Sequence, residues 1–151
     1  MKKSKNIATF ASLMPQEEML VVKKNFKSLY IGIPKEVSYQ ENRVSLSPDS
    51  VALLVSNGHK IVIEKGAGKN ANFSDEDYSN SGANIAYNKE AVYKANVILK
   101  IEPPIASEIK LMHKGQALIS ALQLTTIDEK YLKALMKSEI TALAYEYIKD
   151  E

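Results

Sequence analysis

The amino-acid sequence predicts an α/β domain in which a parallel sheet is flanked by helices, with a helical extension at the N-terminus. Short apolar segments alternate along the chain with segments that carry helix-capping residues, and this alternation is typical of a parallel sheet. The length of 151 residues corresponds to one domain with a core of its own. Hydrophobic residues at 45% and charged residues at 25% are in the normal range for globular proteins.

The first strand and helix are marked by their boundaries. The apolar segment Leu29–Ile33 predicts a strand that ends before Pro34. Ser47-Pro48 supplies an N-cap and a first-turn proline, so it predicts the start of a helix, and that helix ends at Asn57-Gly58. The second strand is predicted at Lys60–Glu64.

Two short helices and a strand follow. Ser74 and the three acids after it predict a capped helix that ends near Gly82. A second short helix is predicted at Lys89–Ala95. The apolar segment Val97–Ile101 predicts the third strand, and the pair Pro103-Pro104 ends it.

The last part of the chain repeats the pattern. A helix is predicted at Ser107–Met112 and a strand at Ala117–Leu122. The segment Thr126–Glu129 has the form of a capping box and predicts a helix that runs to about Lys137. Ile140–Tyr145 predicts the final strand.

Residues 1–27 differ in character and are predicted to form the helical extension. Pro15 is suited to a first helical position, acids follow it, and Lys23 and Lys24 come late, which matches the helix dipole. No apolar run approaches the roughly 18 residues that a membrane span needs, and no signal-peptide cleavage site is recognisable. We therefore expect a cytoplasmic protein with no membrane partner.

Composition excludes several classes of function. The net charge is only +2 and no block of five like charges occurs, so no nucleic-acid partner is expected. The chain has no cysteine, which excludes disulfides and thiolate chemistry. Its two histidines, His59 and His113, lie far apart in sequence, so no metal site is predicted.

A glycine motif resembles a dinucleotide fingerprint. Gly66–Ala71 spells G-x-G-x-x-A directly after a predicted strand. Such a fingerprint must open an apolar helix whose N-terminus meets the pyrophosphate. Here the segment 72–77 instead brings a new cap and three acids, whose carboxylates would repel a diphosphate. We interpret the motif as a glycine turn without a nucleotide.

Arg43 is a candidate binding residue because it is the only arginine among 20 basic residues. The planar guanidinium binds a carboxylate through two parallel hydrogen bonds, which a lysine ammonium does not reproduce. Arg43 lies after the first predicted strand, at the edge of the sheet where parallel α/β proteins bind ligands. The alternative is a structural ion pair with Glu41 or Glu36.

Three more polar residues follow predicted strands. Lys100 and Glu102 are two positions apart, so their side chains would share a face of a strand. Such a pair would orient a small polar ligand, or it would be a solvated surface pair. Gln123 comes at the end of an apolar strand, where its amide would either line a site or satisfy backbone groups of the loop.

Beyond these residues, the spacing of many short motifs resembles one enzyme family. The similarity covers roughly residues 29–148 and is to alanine dehydrogenases and to the alpha subunit of proton-translocating nicotinamide nucleotide transhydrogenase. The matching segments include Ile31–Glu36, Glu41–Pro48, Asn57–His59, Glu64–Gly68, Phe73–Asp75, Ile98–Lys100, Gly115-Gln116 and Ala142–Glu146.

The resemblance implies that residues 28–151 form a Rossmann/flavodoxin-like, substrate-side catalytic domain. In the family an NAD-binding Rossmann domain follows, and a last segment returns to complete the substrate domain. The chain is accordingly expected to end before the NAD-binding domain, to contain no cofactor-binding residue and to be inactive alone. NAD, a small amino or keto acid and a homo-oligomeric assembly are the partners that the resemblance implies.

The resemblance also assigns roles to the candidate residues. Arg43 matches the arginine that binds the substrate carboxylate in alanine dehydrogenases. Lys100 matches the first lysine of a K-x-K-E-P-like motif, and Glu102 stands in place of the second, substrate-contacting lysine. Gln123 stands in place of the catalytic histidine.

The sequence favours one function, because Arg43 is intact, and leaves two alternatives. The favoured function is an alanine dehydrogenase, which converts L-alanine, NAD and water to pyruvate, ammonia and NADH. The first alternative is a transhydrogenase alpha subunit, in which this domain is mainly scaffold. The second alternative is a non-catalytic ligand-sensing or assembly domain, consistent with the altered positions.

Overall fold

The computed structural model describes residues 27–126 and 128–149. The predicted helical extension, residues 1–27, lies outside the described residues except for Lys27. Within the described residues, no helix is long and apolar enough to cross a membrane.

The described chain forms one parallel sheet of six strands, as the alternating sequence pattern predicts. The strand order across the sheet is β3-β2-β1-β4-β5-β6, and every neighbouring pair is parallel. The strands are β1 (Tyr30–Ile33), β2 (Lys60–Glu64), β3 (Asn84–Ala86), β4 (Val97–Leu99), β5 (Ala117–Ser120) and β6 (Thr141–Ala144).

Helices cover both faces of the sheet. They are α1 (Pro48–Ser56), α2 (Asp75–Asn80), α3 (Lys89–Val92), α4 (Ala106–Ile109) and α5 (Glu129–Lys137). One buried cluster joins α1 and α2 to the sheet, with Val51 and Tyr78 at its centre. A second cluster joins the sheet to α3, α4 and α5 through Val92, Ile109 and Leu135. The core therefore has two layers, one on each side of the strands.

Two of the predicted helix starts are confirmed in detail. The Ser47 hydroxyl accepts a hydrogen bond from the backbone N–H of Ser50 at 3.3 Å, with Pro48 in the first turn. Ser74 and Asp77 form a complete capping box, in which each side chain binds the other's backbone N–H. The hydroxyl of Ser74 also donates to Oδ2 of Asp77 at 2.7 Å, and this bond, together with the one from the backbone N–H of Ser74, holds the pKa of the Asp77 carboxyl below its ordinary value. Local capping chemistry thus fixes where both helices begin.

The structure corrects the predicted elements at several points. Strand β3 was not predicted, because three residues that begin with Asn84 are too short to show an alternating pattern. The third and fourth predicted strands end at Leu99 and Ser120, two residues earlier than expected in each case. The prediction that a capping box at Thr126 begins the helix is wrong. Asp128 is the N-cap of α5, and its carboxylate accepts a hydrogen bond from the backbone N–H of Tyr131.

The strand order reverses direction between β1 and β4. From β1 the chain builds outward through β2 to β3, then crosses to β4 and builds the other way through β5 to β6. In open α/β sheets, the loops that leave the two strands at such a switch point diverge and leave a crevice outside the carboxyl ends. The residues that follow Ile33 and Leu99 border this crevice.

Candidate functional site

The loop after β1 presents Arg43 as one half of a two-bond ion pair. The Nε of Arg43 donates to Oε1 of Glu41 at 2.8 Å, and Nη2 donates to Oε2 at 2.6 Å. The backbone N–H of Arg43 also donates to Glu41 Oε1 at 2.8 Å. The structural ion pair considered from the sequence is therefore present, with Glu41 and not Glu36 as the acid.

The two members of this pair differ in exposure. The side chain of Glu41 is 6% exposed, whereas that of Arg43 is 73% exposed. The hydrogen bonds from Arg43 hold the pKa of the Glu41 carboxyl below its ordinary value of 4.5, and Glu41 in turn raises the pKa of Arg43. Both groups are charged at neutral pH, and the pair is lost only as the pH falls through the lowered pKa of Glu41.

Arg43 lines a cavity of about 450 Å³ at the carboxyl ends of β4 and β5. Tyr145 borders the same cavity and donates its hydroxyl to the carbonyl oxygen of Ile101 at 2.9 Å. Burial raises the pKa of Tyr145, so the phenol remains a neutral donor at neutral pH. The lining residues are Arg43, Ser45, Leu46, Leu99, Lys100, Ile101, Ile119 and Tyr145.

Lys100 is buried, and its ion-pair partners are not Glu102, the partner that the sequence suggested. Its Nζ lies 2.9 Å from Glu36 Oε2 and 3.5 Å from Glu108 Oε2, and its side chain is only 1% exposed. The prediction of a solvated surface pair between Lys100 and Glu102 is therefore wrong. The other oxygen of Glu36 accepts the backbone N–H of Ile101 at 2.7 Å, so Glu36 ties the exit of β1 to the exit of β4.

Glu108 completes this buried network from α4. Its carboxylate accepts from Lys89 Nζ at 2.8 Å and from the backbone N–H of Ile105 at 3.0 Å. Glu102 is half-buried and, with Glu36, Lys100 and Glu108, lines a second, smaller cavity of about 150 Å³. The ion-paired network itself consists of two acids and two lysines, namely Glu36, Glu108, Lys89 and Lys100. Their charges balance, and ionised side chains in a buried place require such pairing.

Gln123 is exposed and sits in the left-handed backbone region, with a φ of 50°. The carboxylate of Glu146 accepts the backbone N–H groups of both Leu122 and Gln123, at 2.8 and 2.7 Å. The loop backbone is thus satisfied by Glu146 and not by the Gln123 amide. The side chain of Gln123 lies beyond the carboxyl end of β5, on the same edge of the sheet as Arg43.

The glycine motif forms a turn, as predicted. Gly66 has a φ of 73°, and its backbone N–H donates to Oδ1 of Asp75 at 2.7 Å. A single 3₁₀ turn, Lys69–Ala71, follows in place of a long helix. The motif also follows β2, whereas a dinucleotide fingerprint follows the first strand of its fold. The backbone N–H of Gly66, which a bound phosphate would need as a donor, is therefore already bonded to the carboxylate of Asp75.

A larger groove, of about 570 Å³, lies between α4 and α5. It includes Lys114, Ser138 and Glu139, which precede β5 and β6 and so lie at the amino ends of these strands. Ligands of parallel sheets bind at the carboxyl ends, so we place the functional site at Arg43 and not in this groove. Among the described residues, no group of three or more acids or histidines is arranged to hold a metal ion.

Three residues of the site were not singled out from the sequence. Glu36 was considered only as a partner of Arg43, and Glu108 and Tyr145 were not considered as site residues. Glu108 lies in a four-residue helix and Tyr145 follows an exposed edge strand, so neither has a local signal of burial. The early position of Glu36, directly after a buried strand, was the one available indication.

The fold and the crevice define a doubly wound α/β domain whose only arginine stands at the topological switch point. Residues 32–151 match the model of the family described as "Alanine dehydrogenase/PNT, N-terminal domain". The chain belongs to this family, which confirms the resemblance seen in its motifs.

Individual relatives agree with this assignment. Alanine dehydrogenase of Staphylococcus saprophyticus is 38% identical over 120 residues, which are 80% of this chain and 32% of that protein. A solved L-alanine dehydrogenase matches with a TM-score of 0.74 and 40% identity over 77% of this chain and 32% of that one. The transhydrogenase from Sinorhizobium meliloti matches with a TM-score of 0.75 and 30% identity, over 80% of this chain and 36% of that one. The chain thus spans about a third of the length of each.

Proposed function

We propose that this chain is the substrate-side domain of an alanine dehydrogenase, which oxidises L-alanine to pyruvate and ammonia with reduction of NAD. The observation that carries the proposal is the guanidinium of Arg43, which is held in place by Glu41 and lines the cavity at the switch point. An arginine fork matches the geometry of a carboxylate, and both alanine and pyruvate carry one. Arg43 would anchor this group while the reacting carbon faces the cofactor.

The described residues do not fit a dinucleotide. The glycine turn at Gly66 is closed by Asp75, and the first loop after β1 contains Arg43 in place of a glycine-rich phosphate cradle. We therefore propose that NAD is bound by a domain outside this chain. The function of residues 28–151 is then to bind and orient the amino or keto acid in a homo-oligomeric enzyme.

A transhydrogenase alpha subunit is the second candidate. The observations that favour it are Glu102 and Gln123, which stand where the resemblance implies a lysine and a histidine in alanine dehydrogenases. The structural similarity to the Sinorhizobium meliloti transhydrogenase is as close as that to the alanine dehydrogenase. In this alternative the cavity beside Arg43 would have no amino-acid substrate.

Replacing Arg43 by lysine in the intact enzyme is the test of the anchoring role. Lysine keeps the charge but loses the planar fork, so we expect kcat/KM for L-alanine to fall about 30-fold to 1,000-fold. Because a carboxylate is bound alike in the ground and transition states, most of the loss should appear in KM. Steady-state kinetics with alanine and with pyruvate measure the effect.

Lys65→Arg is a suitable control, because Lys65 lies after β2, away from the cavity, and its ammonium stands over the ring of Tyr87. This variant should leave both kinetic constants unchanged. If Arg43→Lys is equally without effect, Arg43 serves only the ion pair with Glu41 and the anchoring proposal is wrong.

A further inference from the structure

The ion pair between Glu41 and Arg43 leaves part of the guanidinium available. A guanidinium carries five N–H donors, and Glu41 takes one from Nε and one from Nη2. The remaining donors, two on Nη1 and one on Nη2, form the outer edge of the fork. This edge is sufficient for a second carboxylate to bind through two parallel hydrogen bonds.

Glu41 is itself held firmly. Its side chain is 6% exposed, and its Oε1 also accepts the backbone N–H of Arg43. Its own backbone N–H donates to the carbonyl of Ser38 at 3.3 Å. Further along the loop, the hydroxyl of Ser45 donates to the carbonyl of Leu99 at 3.2 Å, which fixes the loop to β4. The carboxylate is therefore a fixed point from which the Arg43 side chain extends.

This arrangement differs from an ordinary surface ion pair. In the pair between Lys133 and Glu129, both side chains are exposed, by 70% and 79%. In the pair between Glu41 and Arg43 the acid is buried and the guanidinium is exposed. The buried carboxylate of Glu41 thus fixes the direction of a guanidinium that is itself accessible to a ligand.

We propose that Glu41 is a positioning residue, which holds the Arg43 guanidinium so that its outer edge faces a ligand carboxylate in the cavity. This inference rests on the proposed anchoring role of Arg43. A free arginine would lose the conformational entropy of a long side chain when it binds, and a side chain already fixed by Glu41 avoids most of this loss. Glu41 thereby improves the affinity for the substrate without touching it.

Glu41→Gln in the intact enzyme tests the proposal. Glutamine has nearly the same size, but its amide nitrogen cannot accept from Arg43, so one bond of the fork is lost. We expect KM for both L-alanine and pyruvate to rise about 10-fold to 100-fold, with kcat changed much less. Glu41→Asp keeps the charge but is one methylene shorter, and it should give KM values between those of the wild type and Glu41→Gln.

The outcomes separate this proposal from the proposed function. If Glu41→Gln lowers KM, the carboxylate of Glu41 competes with the substrate and the positioning role is wrong. If Glu41→Gln lowers only the melting temperature and leaves KM unchanged, Glu41 is a structural residue and the inference is again overturned. In both cases an increased KM in Arg43→Lys would leave the anchoring role intact, whereas unchanged kinetics in Arg43→Lys would overturn the anchoring role itself.

Discussion

Replacing Lys100 by methionine is expected to lower the free energy of unfolding by about 3–5 kcal/mol, the usual result of removing one partner from a buried ion pair. The ammonium of Lys100 lies between the carboxylates of Glu36 and Glu108, and the three side chains are 1%, 7% and 1% exposed. Without the ammonium, the bond that the Glu36 carboxylate keeps within the described part of the chain is the one from the backbone N–H of Ile101. Its charge is then buried with no cation, and this is the source of the expected loss.

Lys133→Met provides a matched control, because the same substitution there removes an exposed pair with Glu129 at the helix spacing i,i+4. We expect that variant to lose only about 0.3–0.5 kcal/mol. Urea unfolding followed by circular dichroism measures both variants under the same conditions. Equal losses in the two would mean that the buried network around Lys100 does not stabilise the fold.

Changing Glu102 to lysine and Gln123 to histidine together is expected to raise the alanine-dependent rate of NADH formation by the intact enzyme, by about 100-fold or more. General acid–base assistance is typically worth about 10²–10⁴-fold, and the amide of Gln123 cannot exchange a proton near neutral pH. An imidazole at position 123 can, and deamination requires proton transfers as the imine forms and is hydrolysed. Each single change should help less, because the two groups act in one site.

The structure is compatible with both substitutions. Gln123 has a φ of 50°, a backbone region in which histidine is more frequent than most residues, and its side chain is exposed. A lysine at position 102 would border the small cavity beside Glu36 and Glu108, and because residue 102 is only half-buried, its charge would remain partly solvated. Neither substitution removes a buried contact of the described fold.

Glu102→Lys combined with Gln123→Asn is the control, since asparagine tolerates the same backbone but does not titrate. The histidine variant should gain a pH dependence near pH 6.5 that the asparagine variant lacks. If the wild type already deaminates alanine rapidly and the double variant is slower, then Glu102 and Gln123 do not limit the rate of deamination. The proton transfers would then depend on other residues than these two.

Much of the fold followed from local patterns in the sequence. Ser47-Pro48 and Ser74 mark helix starts because capping depends on residues within one turn of each other. The strands β1 and β2 were predicted because each contains a short continuous run of apolar residues, which in β2 is Ile61–Ile63 between Lys60 and Glu64. Arg43 was predicted as a site residue because its rarity and its place after β1 are both visible in the sequence.

Properties that depend on distant contacts were not predictable in the same way. The pairing of β1 with β4 brings Glu36 to Lys100 across 64 positions, so the burial of Lys100 has no local signal. Likewise, Glu146 binds the backbone of Leu122 and Gln123 only because β6 lies beside β5. Strand β3 was missed for a related reason, because its pairing with β2 stabilises a segment whose own pattern is weak.

The central proposal, a substrate-side domain of an alanine dehydrogenase, is tested most directly by measuring two rates with the intact protein. The first is NADH formation from L-alanine and NAD, and the second is hydride transfer from a reduced to an oxidised nucleotide. We predict a rate that saturates with alanine and exceeds the rate of hydride transfer between nucleotides. Rapid transfer between nucleotides, with no dependence on alanine, would contradict the proposal and favour the transhydrogenase alternative.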